Sequence, residues 1–125
     1  MKASEREING IYTKILTLAN KEDALREGAF YDLMYVNPQM SQRQFAFMRK
    51  CGRQLVIIVA NFDGKEAACN VHIPQHAFDY WQMKEGRFEA SDLLDGNNMI
   101  INLSANDTAD INVPAFGVRA YKIIL

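Results

Sequence analysis

Residues 44–64 read QFAFMRKCGRQLVIIVANFDG, and this stretch decides the fold class. Residues 44–50 (QFAFMRK) and 54–61 (QLVIIVAN) are rich in aromatic and β-branched residues, which suit a pleated, half-buried surface. Cys51-Gly52-Arg53 between them is too short for anything but a turn, so the pair predicts a β-hairpin. The second arm is apolar almost throughout. It therefore predicts a central strand covered on both faces, since a strand with one wet face would alternate. Asp63-Gly64 is a tight-turn signal that closes the arm.

Working outward, the two-residue period recurs on both sides of the hairpin. Residues 30–36 (FYDLMYV) predict a strand stopped by Asn37-Pro38, and residues 67–73 predict one that ends at Pro74. Further strands are expected over 87–94, 99–103, 110–113 and 118–125, with Asp95-Gly96-Asn97-Asn98 joining the first two. About eight short strands separated by turn signals predict a mainly β domain, an antiparallel Greek-key β-sandwich.

The N-terminal region differs. Residues 4–21 predict a helix, with Ser4 and Glu7 at capping-box spacing and an apolar stripe of Ile8, Ile11, Tyr12, Ile15, Leu16 and Ala19. Residues 21–27 predict a further turn or two, ended by Gly28. The layout is one N-terminal amphipathic helix over 1–28 followed by an all-β sandwich over 29–125. A lone helix with an apolar face has to bury it against something.

Composition excludes several classes. The chain has 125 residues, 49% hydrophobic and 23% charged, with a net charge of −1. That suits one globular domain and argues against disorder. No stretch is basic enough for a nucleic-acid or anionic-membrane surface, and no apolar run approaches the roughly 18 residues of a membrane span. MKASEREING lacks the apolar core of a signal peptide. These features leave the compartment open.

Candidate chemistry is sparse. His72 and His76 are four apart, a metal-ligand spacing on a helix, but Pro74 lies between them and no Cys or carboxylate completes a set. Cys51 and Cys69 fall in different predicted elements and read as idle thiols rather than a disulfide or a nucleophile. Asp92 and Asp95 flank Leu93-Leu94 and invite comparison with a glycosidase carboxylate pair. The plainer reading makes Asp95-Gly96 a turn and Asp92 a solvated strand residue. Glu85, Glu89, Asp107 and Asp110 read as scattered loop charges. Phe78, Tyr80 and Trp81 cluster in an irregular stretch after Pro74. They form either a sugar-stacking platform or a plug for the end of the core, and packing is favoured. No catalytic residue, cofactor site or metal site is expected.

The ordered motifs resemble one family. IYTKILTLANKEDALREGAFYDL (11–33) is similar to the last barrel helix of alpha-amylase family glycoside hydrolases and the start of the C-terminal domain after it. FAFMRK and QLVIIVANFD resemble that domain's "(F/L)AF.R…NF" hairpin. VHIP (71–74), SDLLDG (91–96) and VPAFGVRAYKI (113–123) resemble its later strands. The chain departs at Leu18-Ala19, where the family often has Leu-Arg. The resemblance implies a parent that hydrolyses α-glucosidic bonds with retention, using carboxylates of a (β/α)8 barrel. Such a barrel takes about 250 residues, so neither the catalytic residues nor the barrel's calcium site map onto this chain, and Met1 is not the parent's natural N-terminus. The implied role is a non-catalytic domain whose partner is the catalytic barrel of the same parent chain. The alternative is an α-glucan-binding module using Tyr80, Trp81 and Phe78, with weak binding expected. A third is an unrelated β-domain that docks a protein on its helix. Without a barrel, the stripe Ile8, Tyr12, Ile15 and Leu16 is expected either to fold back on the sandwich or to pair with a second copy as a homodimer.

Overall fold

The computed structural model describes residues 3–22, 28–40, 43–94 and 96–125, with no description of the side chains of residues 3–8 and 39. The expected Ser4–Glu7 cap, the side chain of Ile8, the turn over 23–27 and Asp95 lie outside the described residues. Helix α1 spans Ala3–Lys21. It is succeeded by strands β1 (Ala29–Asp32), β2 (Gln44–Cys51), β3 (Gln54–Asn61) and β4 (Ala67–His72). A short helix α2 (Gln75–Trp81) precedes β5 (Gly86–Asp92), β6 (Asn98–Leu103), β7 (Thr108–Val113) and β8 (Val118–Ile124).

Among the described residues all strand pairs are antiparallel and form two sheets, one ordered β1-β2-β3-β8-β5-β6 and one of β4-β7. β8 returns to lie between β3 and β5, the crossover that a Greek key requires. The β2–β3 hairpin pairs Cys51 with Gln54 and turns on Gly52, whose φ of 59° is left-handed. β3 is central, as its composition predicts. Leu55, Ile57 and Val59 point into the main core with Cys69, Val71 and Ile111 of the small sheet. Val56, Ile58 and Ala60 point to the opposite face, where Ile11 and Leu18 of α1 cover them together with Val118 and Ala120.

The helix thus lies on the outer face of the large sheet. Ile11 and Leu18 are buried and Ile15 and Ala19 partly so, whereas Tyr12 and Leu16 of the expected stripe are exposed. The Lys122 ammonium meets the Glu22 carboxylate at 3.0 Å and holds the helix's C-terminal end to β8.

Two expected elements differ. The strand over 30–36 stops at Asp32. The Asp32 carboxylate accepts the Met34 N–H at 2.8 Å, an Asx-type turn, and the chain continues as 3₁₀ turns over Met34–Val36 and Pro38–Met40. Asn37, fully buried, fixes this turn. Its side-chain amide donates to the Leu33 and His72 carbonyls and its oxygen accepts the His72 N–H. The stretch after Pro74 is not irregular but helical. Pro74 stands just before its first turn, and Gln82 ends it in a left-handed conformation. Ala77 and Phe78 are the apolar face of that helix, which closes one end of the core.

Candidate functional site

Helix α2 and the first strand bring five rings together. Tyr31 on β1 is buried at the centre. Tyr35 comes from the first 3₁₀ turn, and His76, Tyr80 and Trp81 come from α2. The Tyr31 hydroxyl lies 2.5 Å from the Tyr35 hydroxyl and 2.7 Å from His76 Nδ1. Burial, reinforced by the Tyr35 hydroxyl, holds the Tyr31 phenol well above its usual pKa, so it stays a neutral hydrogen-bonding group. The His76 ring stacks on Tyr80 with centroids 5.8 Å apart and planes 9° from parallel. Trp81 meets Tyr31 edge-on at 5.5 Å. Tyr35 and Tyr80 remain 60% and 65% exposed, so rings anchored from beneath face outward.

The three aromatic residues singled out in the sequence therefore do not share one surface. Phe78 is 2% exposed and belongs to the core. Trp81 is half-buried against it, and only Tyr80 is open. Tyr35 and His76 complete the outward group. Trp81→Ala should remove contacts with both Tyr31 and the core. We expect a loss of about 3 kcal/mol in urea unfolding, the low end for a tryptophan because burial is partial. An unchanged midpoint would show that Trp81 packs on nothing that matters.

The other candidates are held apart. His72 ends β4 with its backbone tied to Asn37, while His76 joins the tyrosines. Among the described residues no three His, Cys, Asp or Glu side chains converge as a metal set would. Cys69 lies in the main core, where burial raises its thiol pKa, and Cys51 packs on the α1 side of the large sheet. Both are free thiols.

Asp92 is not the solvated strand residue expected. It is 2% exposed; one carboxylate oxygen accepts from Arg119 at 3.1 Å and the other from the Leu94 N–H at 3.0 Å. It organises the turn after β5, and Arg119 on β8 supplies the countercharge that makes burial tolerable. Glu85 accepts from Ser104, and Asp107 and Asp110 accept from Asn102 and Thr108, all near the surface. Among the described residues no helix is long and apolar enough to cross a membrane.

The fold is one shared with part of alpha-amylase family glycoside hydrolases. An alpha-amylase from Geobacillus thermoleovorans, solved with acarbose, superposes at a TM-score of 0.61 with 16% identity, over 86% of this chain and 21% of its own. An Anoxybacillus alpha-amylase gives 0.58 with 18% identity, over 90% of this chain and 22% of its own. A trehalose-6-phosphate hydrolase from Bacillus licheniformis gives 0.55 with 16% identity, over 91% and 18%. The chain therefore spans about a fifth of the enzymes it resembles. No protein-family model matches it, and no curated protein sequence does.

Proposed function

We propose that the chain is a non-catalytic accessory domain of an alpha-amylase-type glycoside hydrolase acting on α-glucans, and that it covers and stabilises the catalytic barrel of the same parent chain. The observation that carries this reading is the match itself: nearly all of this chain overlays only a fifth of each enzyme. The outer face of the large sheet supports it. Phe30 and Phe45 flank Phe47 at 5.3 and 5.7 Å, both more than a third exposed, and Tyr12 and Leu16 lie open on α1. Apolar surface of this kind is costly in water and suits a face covered by a neighbour.

The test has two parts. The chain alone, incubated with starch, maltooligosaccharides or pullulan, should release no reducing sugar above a heat-killed control. The parent enzyme should unfold at a lower temperature when the β-domain, residues 29–125, is deleted and the helix before it is kept. An unchanged unfolding temperature, or hydrolysis abolished by mutating this chain, overturns the reading.

A further inference from the structure

We propose that β6 is a dimerisation edge, pairing antiparallel with β6 of a second copy of this chain about a two-fold axis at Ile100. The direction of its backbone groups follows from two hydrogen bonds at the end of β5. The Asp92 N–H donates to the Asn97 carbonyl at 2.8 Å, and the next N–H, of Leu93, donates to the Ala120 carbonyl of β8 at 2.8 Å. Successive residues of a strand bond to opposite sides. Asp92, Ala90 and Phe88 therefore bond toward β6, and Met99 and Ile101, which pair with Ala90 and Phe88, bond back. The N–H and C=O groups of Asn98, Ile100 and Asn102 are left pointing away from β5. β6 is the outermost strand of its sheet, so among the described residues no strand pairs with that edge.

The other sheet edges are blunted. β1 is four residues long and stops at the Asp32 turn. On β4 the Asn37 side chain takes up both the N–H and the C=O of His72. On β7 the Arg119 guanidinium donates to the Asn112 carbonyl at 3.0 Å. β6 has none of the usual protection, since residues 98–103 (NMIINL) include no charge and no proline. Ile100, in its middle, is 55% exposed. The sequence of β6 selects a second copy as the occupant, because it complements itself. Opposing Ile100 to Ile100 of the second copy also opposes Asn98 to Asn102 in both directions, so every outward-pointing residue meets another and can exchange both backbone bonds with it. These three side chains share one face. An isoleucine pair then sits at the centre with an asparagine pair on either side. The Asn102 amide already donates to Asp107 at 3.2 Å, so its oxygen accepts from Asn98 of the second copy. Asp107 comes beside that uncharged asparagine and not beside another carboxylate. The pairing is isologous and uses each β6 once, so it closes at two copies.

The test is sedimentation equilibrium of the whole chain over a micromolar concentration series, which should show a species of twice the chain's mass and nothing larger. Ile100→Lys places two ammonium groups opposite each other in place of the isoleucine pair and should raise the dissociation constant by about tenfold. Its urea midpoint extrapolated to low protein concentration should match wild type, because the side chain is exposed. Cross-linking reads the register directly. Residues of a hydrogen-bonded antiparallel pair have Cα atoms about 5.5 Å apart, within the span of a disulfide. Under mild oxidation Ile100→Cys should therefore form a covalent dimer above the wild-type baseline, which includes Cys51 and Cys69. Asn98→Cys should not link to itself, but mixed with Asn102→Cys it should give a mixed dimer. Leu16→Glu, on the exposed part of α1, should leave the dimer intact. A monomer throughout the series, species larger than a dimer, or no cross-link through Ile100→Cys overturns the proposal. A dimer dissolved by Leu16→Glu and untouched by Ile100→Lys shows that the helix is the seam and also overturns it. The inference does not rest on the barrel-stabilising role: β6 lies at the far edge of the large sheet from β1 and β2, and neither experiment decides the other.

Discussion

Ile57→Ala is expected to destabilise the domain by about 2–5 kcal/mol, the range for removing a large buried aliphatic side chain. Ile57 sits in the middle of β3 with no exposed surface, paired with Met48 on β2 and Tyr121 on β8. Both neighbours are ladder-bonded strands, so the backbone cannot settle into the void, and across it the small sheet is fixed by its own β4–β7 ladder. Sites that cannot collapse lie toward the upper part of the range. Urea unfolding should show a lower midpoint with an unchanged slope, because the surface exposed on unfolding barely changes. Ile58→Ala is the informative comparison. It opens space on the opposite face, beneath α1, and should therefore also speed hydrogen exchange in the helix, which Ile57→Ala should not. An Ile57→Ala midpoint within error of wild type would mean that β3 does not form the centre of the core.

The hairpin, its buried partner strand and the antiparallel class are legible in the sequence because each rests on local signals: β-branched runs, a two-residue period and glycine at the turn. Features that depend on distant partners are not. An aspartate before a Leu-Leu-Asp-Gly turn looks solvated until Arg119 arrives from β8 and draws Asp92 inward. On α1 the apolar residues span a broad arc. The spacing includes Tyr12 and Leu16, but the sheet selects the adjoining ridge of Ile11, Ile15 and Leu18. The run FYDLMYV has strand composition throughout, yet the Asp32 side chain captures a backbone N–H and buried Asn37 bends the chain beyond it. Helix α2 is seven residues long, too short for its periodicity to stand out, and it forms because Phe78 and Ala77 plug the core. The aromatic site is half visible. Tyr80 stands out in a local cluster, but its companions come from the other end of a hydrogen bond spanning 45 residues, between Tyr31 and His76.

Asn61 is the polar counterpart of Ile57, and its replacement should be as damaging. It ends β3 with no exposed surface. Its side-chain amide donates to the carbonyls of Lys65, Pro114 and Val113 at 2.8, 3.2 and 3.3 Å. Its oxygen accepts from the Asp63 N–H at 3.0 Å and the Gln44 amide at 3.1 Å. One side chain thus ties the turn after β3 to the end of β7. Its own N–H donates to the Gly117 carbonyl, in a turn where a Cβ on Gly117 would sit 2.9 Å from the Pro114 oxygen. Asn61→Ala leaves several of these groups without a partner, at about 1–3 kcal/mol for each that water cannot reach. A total of about 3–5 kcal/mol is expected, since some carbonyls will relax toward solvent. Asn61→Asp tests the polarity of the arrangement without changing its shape. It keeps the accepting oxygen but replaces the donating amide with a second oxygen aimed at three carbonyls. Burial and those dipoles should raise the carboxyl pKa in the folded state above its unfolded value of about 3.9. The protonated acid can still donate, so the deficit is smallest at acid pH. It grows as pH rises from the unfolded pKa to the raised folded one, because there the unfolded chain releases its proton first. Urea midpoints of wild type and both variants at pH 4 and pH 7.5 decide the matter. A pH-independent Asn61→Asp deficit, or an Asn61→Ala protein within about 1 kcal/mol of wild type, would show that the amide is not the donor holding these segments together.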